Sequence, residues 1–217
     1  YKRNFRRGTP PPQSLSPAYH VPGLLPAPRY RAITGRMSAS GVLKTAKGRG
    51  VSLTEYLSAL YMHAITTVRE ESGGNGAKRG RSIVRLEVPV NMRRFYPSKT
   101  MRNFSLFVSP ELDLRLGSYS LDETVQRVHY SMRMQVDPRE LGAQIARNVA
   151  AELNPIIRAV PLRVKDRYLS HLHYRFGDNL YSGILSNLGR VALPAAMEAH
   201  VERIGFCLGA NPVIKKD

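Results

Sequence analysis

Hydrophobic and polar positions alternate with two periods along this chain, and the switches between them mark out its elements. Over residues 82–110 the period is two. Val84, Leu86, Val88 and Val90 share one face of an extended chain, with Arg85 and Glu87 on the other. Phe104, Leu106 and Val108 repeat the device. Such alternation predicts two half-buried strands. The connector, residues 91–103, carries Arg93, Arg94, Lys99 and Arg102, and its Pro97 stops either strand running on. Two core strands presenting a basic, Asn-bearing loop suit a site scaffold, and equally an ordinary sheet with a solvated loop.

Elsewhere the period is helical. Over residues 52–71, Leu53, Tyr56, Leu57, Leu60, Tyr61, Ala64, Ile65 and Val68 form a wide apolar stripe, opened by a Ser52/Glu55 capping box. A Ser120/Glu123 box opens a second helix to residue 136, with Leu121, Val125, Val128 and Met132 inward. Asp137-Pro138 restarts it with Leu141, Ile145 and Val149 inward, and Asn154-Pro155 repeats the cap-plus-proline signal. Pro161 precedes a last helical stretch, 162–174. Short strands are expected at 29–38, 179–185 and 199–208, a short helix at 39–47, a loop at 72–80 and a connector at 111–119. Strands interleaved with long helices give an α/β class, a mixed sheet covered by helices. Residues 1–28, rich in proline, read as a linker or crossover segment pinned by Tyr19, Val21, Leu24 and Leu25; residues 29–217 read as one domain.

Composition narrows the partners. With 217 residues and 42% hydrophobic content the chain can bury a real core. No run approaches the roughly 20 apolar residues of a membrane span. The formal net charge of +17 points to an acidic partner: nucleic acid, an anionic membrane, a phosphorylated cofactor or an acidic carrier protein. No RNA-binding aromatic motif or zinc finger accompanies it. The single cysteine, Cys207 in an apolar stretch, excludes an internal disulfide framework and a cysteine zinc cluster, and sets a reducing, cytoplasmic compartment as the expectation. A start at Tyr1 without a methionine suggests a fragment.

The chemistry-bearing residues form no self-contained constellation. His63 flanks a helical stripe, His129 sits inside a helix, His171 and His173 flank Leu172, and His200 lies on a late strand. There is no HExxH motif, no metal-ligand spacing and no GxSxG elbow, so neither catalytic nor metal residues are assigned. The run SGGNGAKRG lacks the spacing of a phosphate loop and follows a helix rather than a strand. Two places remain: the 91–103 connector, and Ser186-Asn187-Leu188-Gly189 at a strand end. Amides at strand ends hold carbonyls or phosphates; the same residue types also build turns.

These residues carry a family likeness. VPVNMRRFYPSKTMRNF, the SNLGRVALP strand end, and GRMSASGVLKTAKGRGVSLTEYLSALYMHAI together resemble motifs of condensation-type and alcohol acetyltransferase-like proteins, in the right order over residues 30–208. Those proteins belong to the CoA-dependent acyltransferase superfamily, which has the chloramphenicol acetyltransferase-like fold. The resemblance implies one half of a two-part enzyme that moves an acyl group from a thioester to a hydroxyl or amine. The catalytic histidine of that family lies in an HHxxxDG motif of the N-terminal half. Here no HH pair exists, and the residues four after each histidine are Leu24, Thr67, Arg133, Arg175, Gly177 and Ile204. The chain thus resembles the C-terminal half, inactive alone. By resemblance Asn91, Arg93, Asn103, Ser186 and Asn187 line a substrate channel or donor site. Acyl-CoA is then an expected co-substrate rather than a tightly bound cofactor. The expected partners are a histidine-bearing N-terminal half and acyl-CoA or an acidic carrier protein, with self-association of the isolated chain. A non-catalytic binding or scaffold module of the same fold, or a basic nucleic-acid-binding domain, are the alternatives.

Overall fold

The computed structural model describes residues 11, 14–22, 32–72, 81–99, 101, 103–167, 177–202 and 204–206. They form a mixed α/β arrangement around one strand, β1 (Ile83–Asn91). β2 (Ser105–Val108) and β3 (Glu111–Asp113) pair antiparallel with it, and β4 (Gly183–Ile184) pairs parallel.

The backbone hydrogen bonds show how β1 divides its two edges. Leu86 and Met92 donate to Pro110 and Phe104, and Ser82 accepts from Leu114. Even-numbered residues thus face the 103–114 segment throughout. Odd-numbered carbonyls face the other edge: Ile83 accepts from Tyr19, Arg85 from Ser182 and Glu87 from Leu185. β2 and β3 share one continuous register along a single edge, Val88 opposite Val108 and Arg85 opposite Glu111. The break between them is Pro110, which has no N–H to give Leu86. Gln135 closes the outer side of that break. Its Oε1 accepts from the Ser109 N–H at 2.7 Å and its Nε2 donates to the Ser109 carbonyl at 3.1 Å.

Helices cover the even face. In α1 (Ala39–Gly48) the Ser38 hydroxyl accepts from the Gly41 N–H. In α2 (Leu53–Glu71) and α3 (Leu121–Gln135) both capping boxes form as the sequence spacing requires. Met62 and Ile65 of α2, with Val125, Val128 and Met132 of α3, pack on Val84, Leu86 and Val88 of the sheet. α4 (Pro138–Leu153) starts with the Asp137 carboxylate accepting from the Arg139 N–H, and packs Leu141, Ile145 and Val149 against Met92 beyond the end of β1.

Several expectations change. Arg85, assigned by alternation to a solvent face, is 2% exposed. Its guanidinium donates to Glu111 Oε2, to the Ser16 carbonyl at 2.8 Å and to the Leu180 carbonyl at 2.9 Å. The odd face near the start of β1 is therefore covered by irregular chain that Arg85 holds, a pairing between distant segments that alternation does not register. The Pro-rich segment takes part directly, with Ala18 bridged to Ile83 and Tyr19 1% exposed. Residues 111–119 begin with β3 rather than an unstructured connector. Of the strand expected at 179–185 only Gly183–Ile184 forms, after a 3-10 turn at Asp178–Leu180.

The strand expected at 199–208 is absent among the described residues: a short helix at Ala195–Glu198 precedes irregular chain, and Ile204 and Phe206 are exposed. Residues 32–38 likewise form no strand, with Ile33 and Met37 exposed. Alternation stabilises a strand only where a ladder partner and a covering layer exist. Most of the 72–80 loop, the end of the 162–174 helix, Leu24, Leu25, His171, His173 and Cys207 lie outside the described residues.

Candidate functional site

Parallel pairing of β4 with β1 sends both strands out at the same end of the sheet, and β2 starts there, since Asn91 is opposite Ser105. α2 runs the opposite way. Its Tyr61 lies over Gly183, where a Cβ would stand 2.8 Å from the Tyr61 ring carbon Cζ. Its Thr54 Oγ1 accepts from Asn187 Nδ2 at 3.0 Å. The 186–189 turn therefore meets the N-terminus of α2, and it leaves the sheet toward the same end as the start of the β1–β2 connector, which rests on α4. All five residues expected to line a site belong to these segments.

Each has local work to do. Asn91 Oδ1 accepts from the Arg93 N–H at 3.0 Å and caps a 3-10 turn, Met92–Arg94. Met92 is buried beneath that turn, and the Tyr96 hydroxyl donates to the Pro138 carbonyl at 3.2 Å, so the connector is anchored to α4. Arg93 is exposed. Asn103 Oδ1 accepts from the Ser105 hydroxyl at 2.9 Å. Asn187 Oδ1 accepts from the Gly189 N–H, closing a turn in which Gly189 has φ +70°, a region open to glycine without strain. Ser186 is half-buried beside it. These carbonyl oxygens are engaged locally, those of Asn91 and Asn187 in turns and that of Asn103 by the Ser105 hydroxyl.

A polar pair escaped sequence reasoning. Glu55, one residue beyond Thr54, is buried at the α2–α3 seam, where its Oε2 accepts from the Ser52 N–H at 2.6 Å and lies 3.2 Å from His129 Nδ1. Burial pushes this carboxyl up. The Ser52 N–H, His129 and the Ser52 hydroxyl together outweigh it and hold the group below the usual carboxylate range. The capping box was legible from spacing; the approach of His129 from another helix left no sequence signal. Beyond this pair, Arg49 meets Asp122 at the start of α3 and stacks over the Tyr56 ring. Among the described residues no cluster able to hold a metal ion occurs, and no helix is long and apolar enough to cross a membrane. No family model, curated protein or solved structure matches the chain.

Proposed function

We propose that this chain is the C-terminal, non-catalytic half of a thioester-dependent acyltransferase, forming one wall of the channel in which a hydroxyl or amine takes up the acyl group. The observation that carries this reading is the convergence of its motif-bearing segments. PVN closes β1, NF leads into β2 and SNLG follows β4, so all three lie toward one end of the sheet, with SNLG held to the start of α2 by Asn187. Amide donors there suit a thioester carbonyl or the amides of a pantetheine arm. Proton transfer belongs to a histidine supplied by another half, because the sequence has no HHxxxDG motif. That absence also favours a second reading, a binding module of the same fold with no catalytic partner.

Amide hydrogen exchange of the chain with an acyl-CoA distinguishes these readings from unrelated ones. Protection confined to residues 91–103 and 186–189, weakened by Asn187→Ala, is the expected result. Protection elsewhere, or none at millimolar acyl-CoA, overturns the donor-wall assignment. Thioester cleavage that appears only when a histidine-bearing half is added separates the enzyme from the binding module.

A further inference from the structure

The same end of the sheet has a second property, independent of acyl transfer. No Asp or Glu occurs over residues 88–110 or 179–197, and none precedes Glu55. The β1–β2 connector and the stretch after β4 are therefore each of one charge sign. Arg94 and Lys99 on one side and Arg190 on the other are exposed, as is Arg93. The opposite end of β1 is mixed: Glu111 pairs with Arg85, Asp113 with Arg115, and α2 ends in Glu70 and Glu71.

Aliphatic side chains stand out among those bases. Met101 is 98% exposed in the connector, and Leu188 and Val191 are 59% and 50% exposed after β4. The aromatic residues of the connector, Phe95 and Tyr96, are instead packed against α4. A nucleic-acid surface uses exposed aromatic faces for stacking, and an acidic protein surface gives no reason for isolated aliphatic tips. Exposed aliphatic side chains in two segments that carry bases and no carboxylate of their own match the interface of an anionic bilayer, with Asp137 and Glu140 at the start of α4 the acidic groups beside the connector.

We propose that the end of the sheet where β1 and β4 exit docks on an anionic membrane surface, with Met101, Leu188 and Val191 entering the headgroup layer and Arg94, Lys99 and Arg190 contacting lipid phosphates. The docking is peripheral. It turns the end of the sheet that carries Asn91 and Asn187 toward the lipid. The inference stands on charge and exposure alone and does not rest on the acyltransferase reading.

Cosedimentation of the 217-residue chain with phosphatidylcholine vesicles, with and without phosphatidylglycerol, tests it. Binding is expected only to the anionic vesicles and is expected to weaken as salt rises. At about fivefold per basic residue, R94Q/K99Q/R190Q lowers partitioning on the order of a hundredfold. M101S/L188S lowers the part that persists at high salt. Arg115→Gln, at the other end, leaves partitioning unchanged. All these side chains are solvent-exposed, and far-UV circular dichroism with thermal melting verifies that each variant folds. Equal binding to neutral and anionic vesicles, unchanged partitioning of a folded triple variant, or an equal loss with Arg115→Gln overturns the proposal. So does tighter binding to mixed-sequence RNA than to vesicles, which would make this a nucleic-acid surface.

Discussion

Replacing Arg85 by methionine keeps most of the buried volume and removes every polar contact the guanidinium makes. The cost divides into three parts. The Leu180 carbonyl, in half-buried chain, loses a donor at 2.9 Å. The Ser16 carbonyl loses one at 2.8 Å, and water reaches it more easily because Ser16 is exposed. An unsatisfied buried acceptor costs roughly 1–3 kcal/mol, so the first carries most of that and the second part of it. The third part is small. The Glu111 side chain is 47% exposed and rehydrates once its partner is gone, so the severe penalty of a stranded buried charge does not arise. The sum is about 2–4 kcal/mol, a large fraction of the ~5–15 kcal/mol that holds a typical domain together. Urea unfolding followed by far-UV circular dichroism measures it.

The loss should also be local. The Tyr19 and Ser182 amides bond to β1 carbonyls on the edge that Arg85 secures, so their hydrogen exchange should accelerate more than that of α2. Glu111→Gln keeps an acceptor for the guanidinium but removes the counter-charge of a buried cation, and should cost about 1–3 kcal/mol. An Arg85→Met variant as stable as the parent would refute the reasoning. It would mean that the desolvation of the buried guanidinium already cancels its contacts with Glu111, Ser16 and Leu180.

Gly183→Ala places a methyl group against the Tyr61 ring and should destabilise by about 1–3 kcal/mol; a G183A/Y61A double variant should recover part of that loss, and additive losses in denaturant titration would count against the close approach. For Glu55 the folded-state pKa is lowered, so its stabilisation is present above the unfolded carboxyl range and is lost as pH falls through the folded value. Glu55→Gln should flatten that acid limb in melts taken at stepped pH, and an unchanged limb would show that other carboxylates control it.

The amide-bearing residues of the candidate site were legible as a set, because turns, caps and strand ends are written in short stretches. Asn91 announces a strand end, and Asn187 with Gly189 announces a turn. Their gathering at one sheet end depends on the parallel pairing of β1 with β4, and no local pattern encodes which strands pair or in which direction. The Glu55–His129 contact was invisible for the same reason, although the Ser52/Glu55 half of it was plain.

By itself the sequence determined the features that close within a few residues. Both capping boxes, the proline restart at Pro138 and the apolar face of β1 follow from bonds and periodicities internal to a segment. Tertiary structure decided everything that needs a distant partner. It buried Arg85 by bringing Ser16, Glu111 and Leu180 around it. It split one edge strand at Pro110, and it left the described residues 201, 202 and 204–206 without a ladder. A helix satisfies its backbone from within, so its signal is local. A strand satisfies its backbone from another segment, so the same alternation yields β1 where partners lie on both edges and irregular chain where none does.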